Sequence, residues 1–158
     1  MSTEAMETLL QNMSSEITRE RELVLLVQTL EDCKQQLYSS KNGYKKCLQL
    51  LPTVVYDSIP AKTRESQAEL DNWLSVAVQT LQQVPVVTLA VAYVPTIAES
   101  EELIKLLRTG FDTSVVVAVT IDRSLLAGAR ISVGSKQIEV SIKQELAAVL
   151  ATAKGNDA

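Results

Sequence analysis

Residues 122–146 read DRSLLAGARISVGSKQIEVSIKQEL, and they predict a turn, two short strands around a tight turn, and the start of a helix. Leu126 to Gly128 lies between apolar stretches where the chain must reverse, and Gly128 is the residue free to take positive φ there. Ile131 and Val133 alternate with Arg130 and Ser132, the period-2 pattern of a half-buried strand. Gly134-Ser135 is a two-residue hairpin connection, and a glycine at its first position suits a type II′ turn. Gln137 and Glu139 then alternate with Ile138 and Val140. Ser141 can cap a final helix, with Gln144 completing a capping box and Ile142, Leu146, Val149 and Leu150 forming its apolar stripe.

Upstream, Val86 to Tyr93 (VVTLAVAY) is a β-branched run that reads as a buried strand, ended by Pro95. Thr96 and Glu99 form a capping box for a helix carrying Leu103, Ile104, Leu106 and Leu107, with Gly110 as its C′ residue. Thr113 to Ile121 is a second buried strand. The expected order is therefore strand, helix, strand, strand, strand, helix.

The first half of the chain is helical in composition. Residues 3 to about 39 hold no Pro or Gly. Met6, Leu10, Met13 and Ile17 make one stripe; Leu23, Leu26, Leu30, Cys33 and Leu37 make a second, out of strict register with it. Ser14-Ser15 offers a place to break, with Ser15 and Thr18 as caps. The near-continuous apolar run Leu23–Val27 points to burial on more than one side, and Arg19-Glu20-Arg21-Glu22 to a solvated face. Asn42-Gly43 is a turn signal, Tyr44 to Leu51 a helix stopped by Pro52, and Thr53 to Ile59 a further helical turn. A third helix is expected from about Ala61 to Gln83, with Leu70, Trp73, Leu74, Ala77, Val78 and Leu81 as its core stripe. The predicted fold class is thus α+β: an N-terminal all-α domain or arm of few, long helices over residues 1–85, a small β-α-β-β-β-α module over 86–153, and a disordered tail over 154–158.

The 158-residue chain carries 15 basic and 19 acidic residues without a basic patch, which argues against nucleic-acid binding. It has no His, which removes the commonest general base and metal ligand. Cys33 and Cys47 form no metal-type cluster and read as buried, reduced thiols. Asp112 and Asp122 flank a strand and could act as paired carboxylates, but turn and cap chemistry accounts for them. Gly134-Ser135-Lys136 lacks the upstream glycine of a phosphate loop. No catalytic, cofactor-binding or metal-ligating residue is therefore assigned, and neither a cofactor nor a small-molecule substrate is expected. No stretch nears the ~20 apolar residues that span a bilayer. The N-terminus MSTEAMETLL matches neither a signal nor a transit peptide, which points to a cytoplasmic, bacterial protein.

From about Val86 to Leu150 the chain resembles the delta subunit of F-type ATP synthases, called OSCP in mitochondria. In that family an apolar strand leads through a Pro-containing loop to an amphipathic helix and a second apolar strand. A DPSxxGG turn, a strand with a basic residue, a Gly-Asp-Lys type turn, an acidic residue, a Ser and a helix follow. Asp122, Ser124, Leu125, Gly128, Arg130, Gly134, Lys136, Ile138, Ser141 and Leu146 fall on the pattern in order, while Arg123, Ala127, Ser135 and Val140 depart from it. The resemblance implies structural roles for Asp122, Gly128, Gly134, Lys136 and Ser141. It also implies a non-catalytic peripheral-stalk (stator) subunit joining the alpha-beta head to the b subunits, on the cytoplasmic face of the bacterial plasma membrane and peripheral to it through partners. The family's opening motif is absent from residues 1–85, which are either a reduced version of its six-helix bundle or a different helical arm. The alternative is a coiled-coil adapter built on residues 3–39 and unrelated to ATP synthesis.

Overall fold

The computed structural model describes residues 3–111, 115–125 and 128–140. The chain forms two compact units, Met1–Ile17 with Arg21–Val84, and Thr18–Glu20 with Pro85–Ala158. The described elements make a mixed α+β protein, helical first and then carrying a four-stranded sheet.

In the first unit, α1 (Thr3–Glu16) and α2 (Glu20–Leu37) replace the single helix that 3–39 allows. The interruption lies at 17–19, beyond the serine pair. Ile17 and Thr18 are adjacent β-branched residues of modest helix propensity. Thr18–Glu20 instead belong to the second unit, where the Thr18 carbonyl accepts a 2.9 Å bond from the Val117 N–H and Arg19 pairs in parallel with Val117. On α1 the buried residues are Ala5, Met6, Leu9 and Met13; Leu10 and Ile17 are only half-buried, so the stripe is rotated from the expected one. On α2 the stripe Leu23, Leu26, Leu30, Cys33 and Leu37 is buried as the spacing requires. Val24 and Leu25 are 57% and 55% exposed, so the Leu23–Val27 run is not buried on several sides.

Three shorter pieces follow. These are α3 (Gly43–Leu50), α4 (Thr53–Ser58) and a 3-10 turn at Thr63–Glu65; the longer α5 (Gln67–Gln82) comes after them. The expected start of the third helix at Ala61 is too early. Ser66 is its N-cap, its side chain accepting from the Glu69 N–H. The stripe from Leu70 to Leu81, including Trp73, is buried in full. Asn12 of α1 donates to Ser58 at the end of α4 (3.0 Å), and Ser58 donates to the Val54 carbonyl. Gln67 donates to the Leu37 carbonyl (2.8 Å), joining the start of α5 to the end of α2.

Cys33 and Cys47 are a disulfide in this structure, both wholly buried, which corrects the reading of two reduced thiols. The correction has a geometric cause. Gly43 and Cys47 lie four apart on the buried face of α3, and Cys33 and Leu37 lie four apart on that of α2. Seating one pair on the other brings the sulfurs together.

In the second unit, β1 (Val86–Val91), α6 (Ile97–Gly110) and β2 (Val116–Ile121) form a parallel crossover. The strands β3 (Ala129–Val133) and β4 (Lys136–Val140) complete a sheet of order β2-β1-β3-β4. β3 runs antiparallel to both β1 and β4. The Thr96–Glu99 capping box opens α6, and the helix runs on through Gly110 before Phe111 caps it. Val87, Leu89 and Val91 of β1 face Leu103, Ile104 and Leu107 of α6, with Val117 and Ile131 beside them. The expected final helix, with Ser141, Ile142, Leu146, Val149 and Leu150, lies outside the described residues, as do Asp112, Leu126, Ala127 and the 154–158 tail.

Candidate interaction surface

The turn between β2 and β3 is organised by one carboxylate. Asp122 Oδ1 accepts from the Ser124 N–H (3.0 Å) and from the Ser124 hydroxyl, and Oδ2 accepts from Arg130 Nη1 at 3.1 Å. The Asp122 N–H donates to the Val91 carbonyl (2.9 Å) and its carbonyl accepts from the Leu125 N–H, starting the 3-10 turn Arg123–Leu125. The Ser124 donors, aided by the Arg130 cation, hold the Asp122 carboxyl below its ordinary range.

Because the folded-state value is lowered, ionised Asp122 stabilises the fold above its ordinary pKa, and that contribution disappears as pH falls through the lowered value. Asp122→Asn should therefore flatten the acid side of the stability–pH curve and leave its alkaline side parallel to wild type. Thermal melts across an acid series check this; an unchanged acid slope would show that the turn does not depend on the charge.

Gly128 closes the same turn at φ 113, outside the basin L residues occupy. Gly128→Val should destabilise the chain by about 1–3 kcal/mol, read as a lower melting midpoint. Gly134 has φ 57 at the first position of the β3–β4 connection, and Lys136 opens β4 opposite Val133. Positive φ there is common to both primed hairpin turns. The structure thus joins Asp122 of the turn to Arg130 of β3, with Gly128 between them in sequence, and places Gly134 and Lys136 in the hairpin. Sequence reasoning placed Arg130 on a strand without assigning it to Asp122.

A second feature escaped sequence reasoning altogether. Where β1 and β2 finish, four large apolar side chains stand exposed: Tyr93 49%, Val94 67%, Ile97 78% and Ile121 50%. Val91 and Ile121 are register partners, Tyr93 and Val94 lie just beyond Val91, and Ile97 opens α6, so the quartet belongs to one crossover. Exposed apolar residues become association surfaces where they form a contiguous patch. Among the described residues, no group of three or more His, Cys, Asp or Glu is placed to hold a metal ion, and no helix is long and apolar enough to cross a membrane.

A helical unit followed by a β-α-β-β-β sheet unit, with four exposed apolar residues on its β1–α6–β2 crossover, defines a mixed α+β protein. The family model for the ATP synthase delta (OSCP) subunit matches residues 71–152, just over half of the chain, from α5 through the whole described sheet. The chain belongs to the ATP synthase delta (OSCP) subunit family. It is also similar to ATP synthase subunit delta of Bordetella petrii (strain ATCC BAA-461 / DSM 12804 / CCUG 43448), with 38% identity over 50 residues. That match covers 32% of this chain and 28% of the relative, well under two thirds of the relative's length.

Proposed function

We propose that the chain is a non-catalytic peripheral-stalk (stator) subunit of a rotary F-type ATP synthase. It would link the alpha-beta head to the b-subunit stalk and so contribute to proton-driven ATP synthesis. The family match over residues 71–152 is the observation that carries this reading. A stator part works by holding other subunits still, which calls for association surfaces in place of catalytic groups. The exposed Tyr93–Val94–Ile97–Ile121 quartet supports that requirement. In this reading the 86–153 module meets the ends of the b subunits and residues 1–85 meet the head or the stalk. The chain would then sit on the cytoplasmic face of the plasma membrane through its partners. Family-motif roles for Asp122, Gly128, Gly134, Lys136 and Ser141 belong to the same proposal. The coiled-coil adapter has less to stand on, because α1 and α2 are interrupted where residues 3–39 would need one unbroken helix.

Reconstitution tests the proposal. An ATP synthase assembled without this chain should lose coupled synthesis and regain it on addition of the chain; coupling that is complete without it would overturn the reading. At the surface itself, Val94→Asp combined with Ile97→Asp should leave the melting midpoint nearly unchanged, since both side chains are more than two-thirds exposed. The same variant should lower recovery of partner subunits by roughly tenfold or more, read by quantitative mass spectrometry of the captured complex.

A further inference from the structure

The Cys33–Cys47 disulfide plays no part in the function proposed above, yet it sits at the centre of the helical unit. It joins α2 to α3, and both cysteines are 0% exposed. The contact around it is close-packed. A Cβ added at Gly43, one turn before Cys47, would overlap the Gln36 carbonyl oxygen. Leu37, one turn after Cys33, is 1% exposed, and its carbonyl accepts from Gln67 at the head of α5. Tyr38 just beyond it donates to Asp71 of α5 (3.1 Å). The cross-link therefore closes the α2–α3 hairpin at the point where that hairpin is fastened to α5.

We propose that Cys33–Cys47 is a thiol-reversible lock on the helical unit, closed as the disulfide and opened by a dithiol reductant. Opening proceeds by two exchanges. A thiolate of the reductant attacks one sulfur, forming a mixed disulfide and releasing the other cysteine as thiolate. The second thiol of the reductant then attacks the mixed disulfide and releases the remaining cysteine. Two electrons pass to the protein, two protons end on Cys33 and Cys47, and the reductant leaves as its cyclic disulfide. Because both sulfurs are buried, the first attack needs the hairpin to open, so the lock responds slowly in the native chain and quickly once the unit is loosened. Cross-linking restricts the unfolded chain, so the closed form is the more stable one.

The chain's single tryptophan makes the test specific, because Trp73 lies in α5 of the same unit at 1% exposure. The full chain, incubated with oxidised glutathione, is denatured and alkylated with iodoacetamide, with and without prior dithiothreitol. Two alkyl groups are expected only after dithiothreitol. In parallel, the midpoint of Trp73 fluorescence melting should fall on the order of 10 °C on reduction. A Cys33→Ser/Cys47→Ser variant should melt like the reduced wild type and ignore dithiothreitol. Two alkylated thiols after the glutathione disulfide treatment would overturn the proposal. So would equal melting of the oxidised and reduced chains.

Discussion

Gly43→Ala should abolish the native α2–α3 packing, with a loss of stability on the order of 3–5 kcal/mol. The added methyl would overlap the Gln36 carbonyl oxygen and stand 3.0 Å from the Leu37 carbonyl oxygen and 3.1 Å from the Gln36 carbonyl carbon. All three are backbone atoms, so no side-chain rotation relieves the clash. Either the last turn of α2 or the first turn of α3 must move, and each is tied elsewhere: the Leu37 carbonyl to Gln67 and the Gly43 N–H to the Ser40 carbonyl. Helix propensity alone would favour alanine over glycine by up to about 1 kcal/mol, so a measured loss isolates the close approach. Chemical denaturation followed by Trp73 fluorescence reads the effect. A stability equal to or above wild type would show that the helices do not approach here.

Trp73→Ala should cost about 3–5 kcal/mol. The side chain is the largest fully buried one in the helical unit, at 1% exposure among Leu70, Leu74 and Ala77 of its own helix. Its loss removes apolar contact area and leaves a cavity that aliphatic neighbours fill only in part. The indole N–H finds no acceptor among the described residues. Trp73→Phe, which discards that buried donor and keeps much of the ring, should therefore cost distinctly less than the alanine substitution. Circular dichroism melts compare the two. Equal costs would mean that ring packing is not what this position supplies.

Local pattern made some elements legible and left others hidden. The α5 stripe from Leu70 to Leu81 and the α2 stripe from Leu23 to Leu37 are buried at the residues the helical period selects, because each helix offers one apolar face to one core. The Thr96–Glu99 box and the two-residue connection at Gly134 are equally local and were legible for that reason. The break between α1 and α2 was not, because Thr18 gives its carbonyl to Val117, nearly a hundred residues away. Val24 and Leu25 depart from the expected burial because an apolar run does not say how many sides of a helix are covered. The turn at Asn42-Gly43 was legible, but the close approach that demands the glycine comes from Gln36 across the hairpin. Helix pairing likewise joins Cys33 to Cys47, which no spacing rule signals.

The candidate site was less legible than the fold. Its local sequence marks Asp122 as a turn residue, but its pairing with Arg130 requires knowing that β3 returns beside β1. The apolar quartet was hidden because Val86–Tyr93 and Thr113–Ile121 both look like wholly buried strands. Only the strand order places β2 at an edge, where its pattern opens from buried Val116 and Val117 to exposed Thr120 and Ile121.

Capture of a tagged copy of the full chain from native membranes, with mass spectrometry of what accompanies it, decides whether the chain is a stator part. The stator reading predicts co-purification of the ATP synthase alpha, beta and b subunits. Recovery of the chain alone, or only with further copies of itself, would contradict it and leave the family match as shared fold without shared assembly.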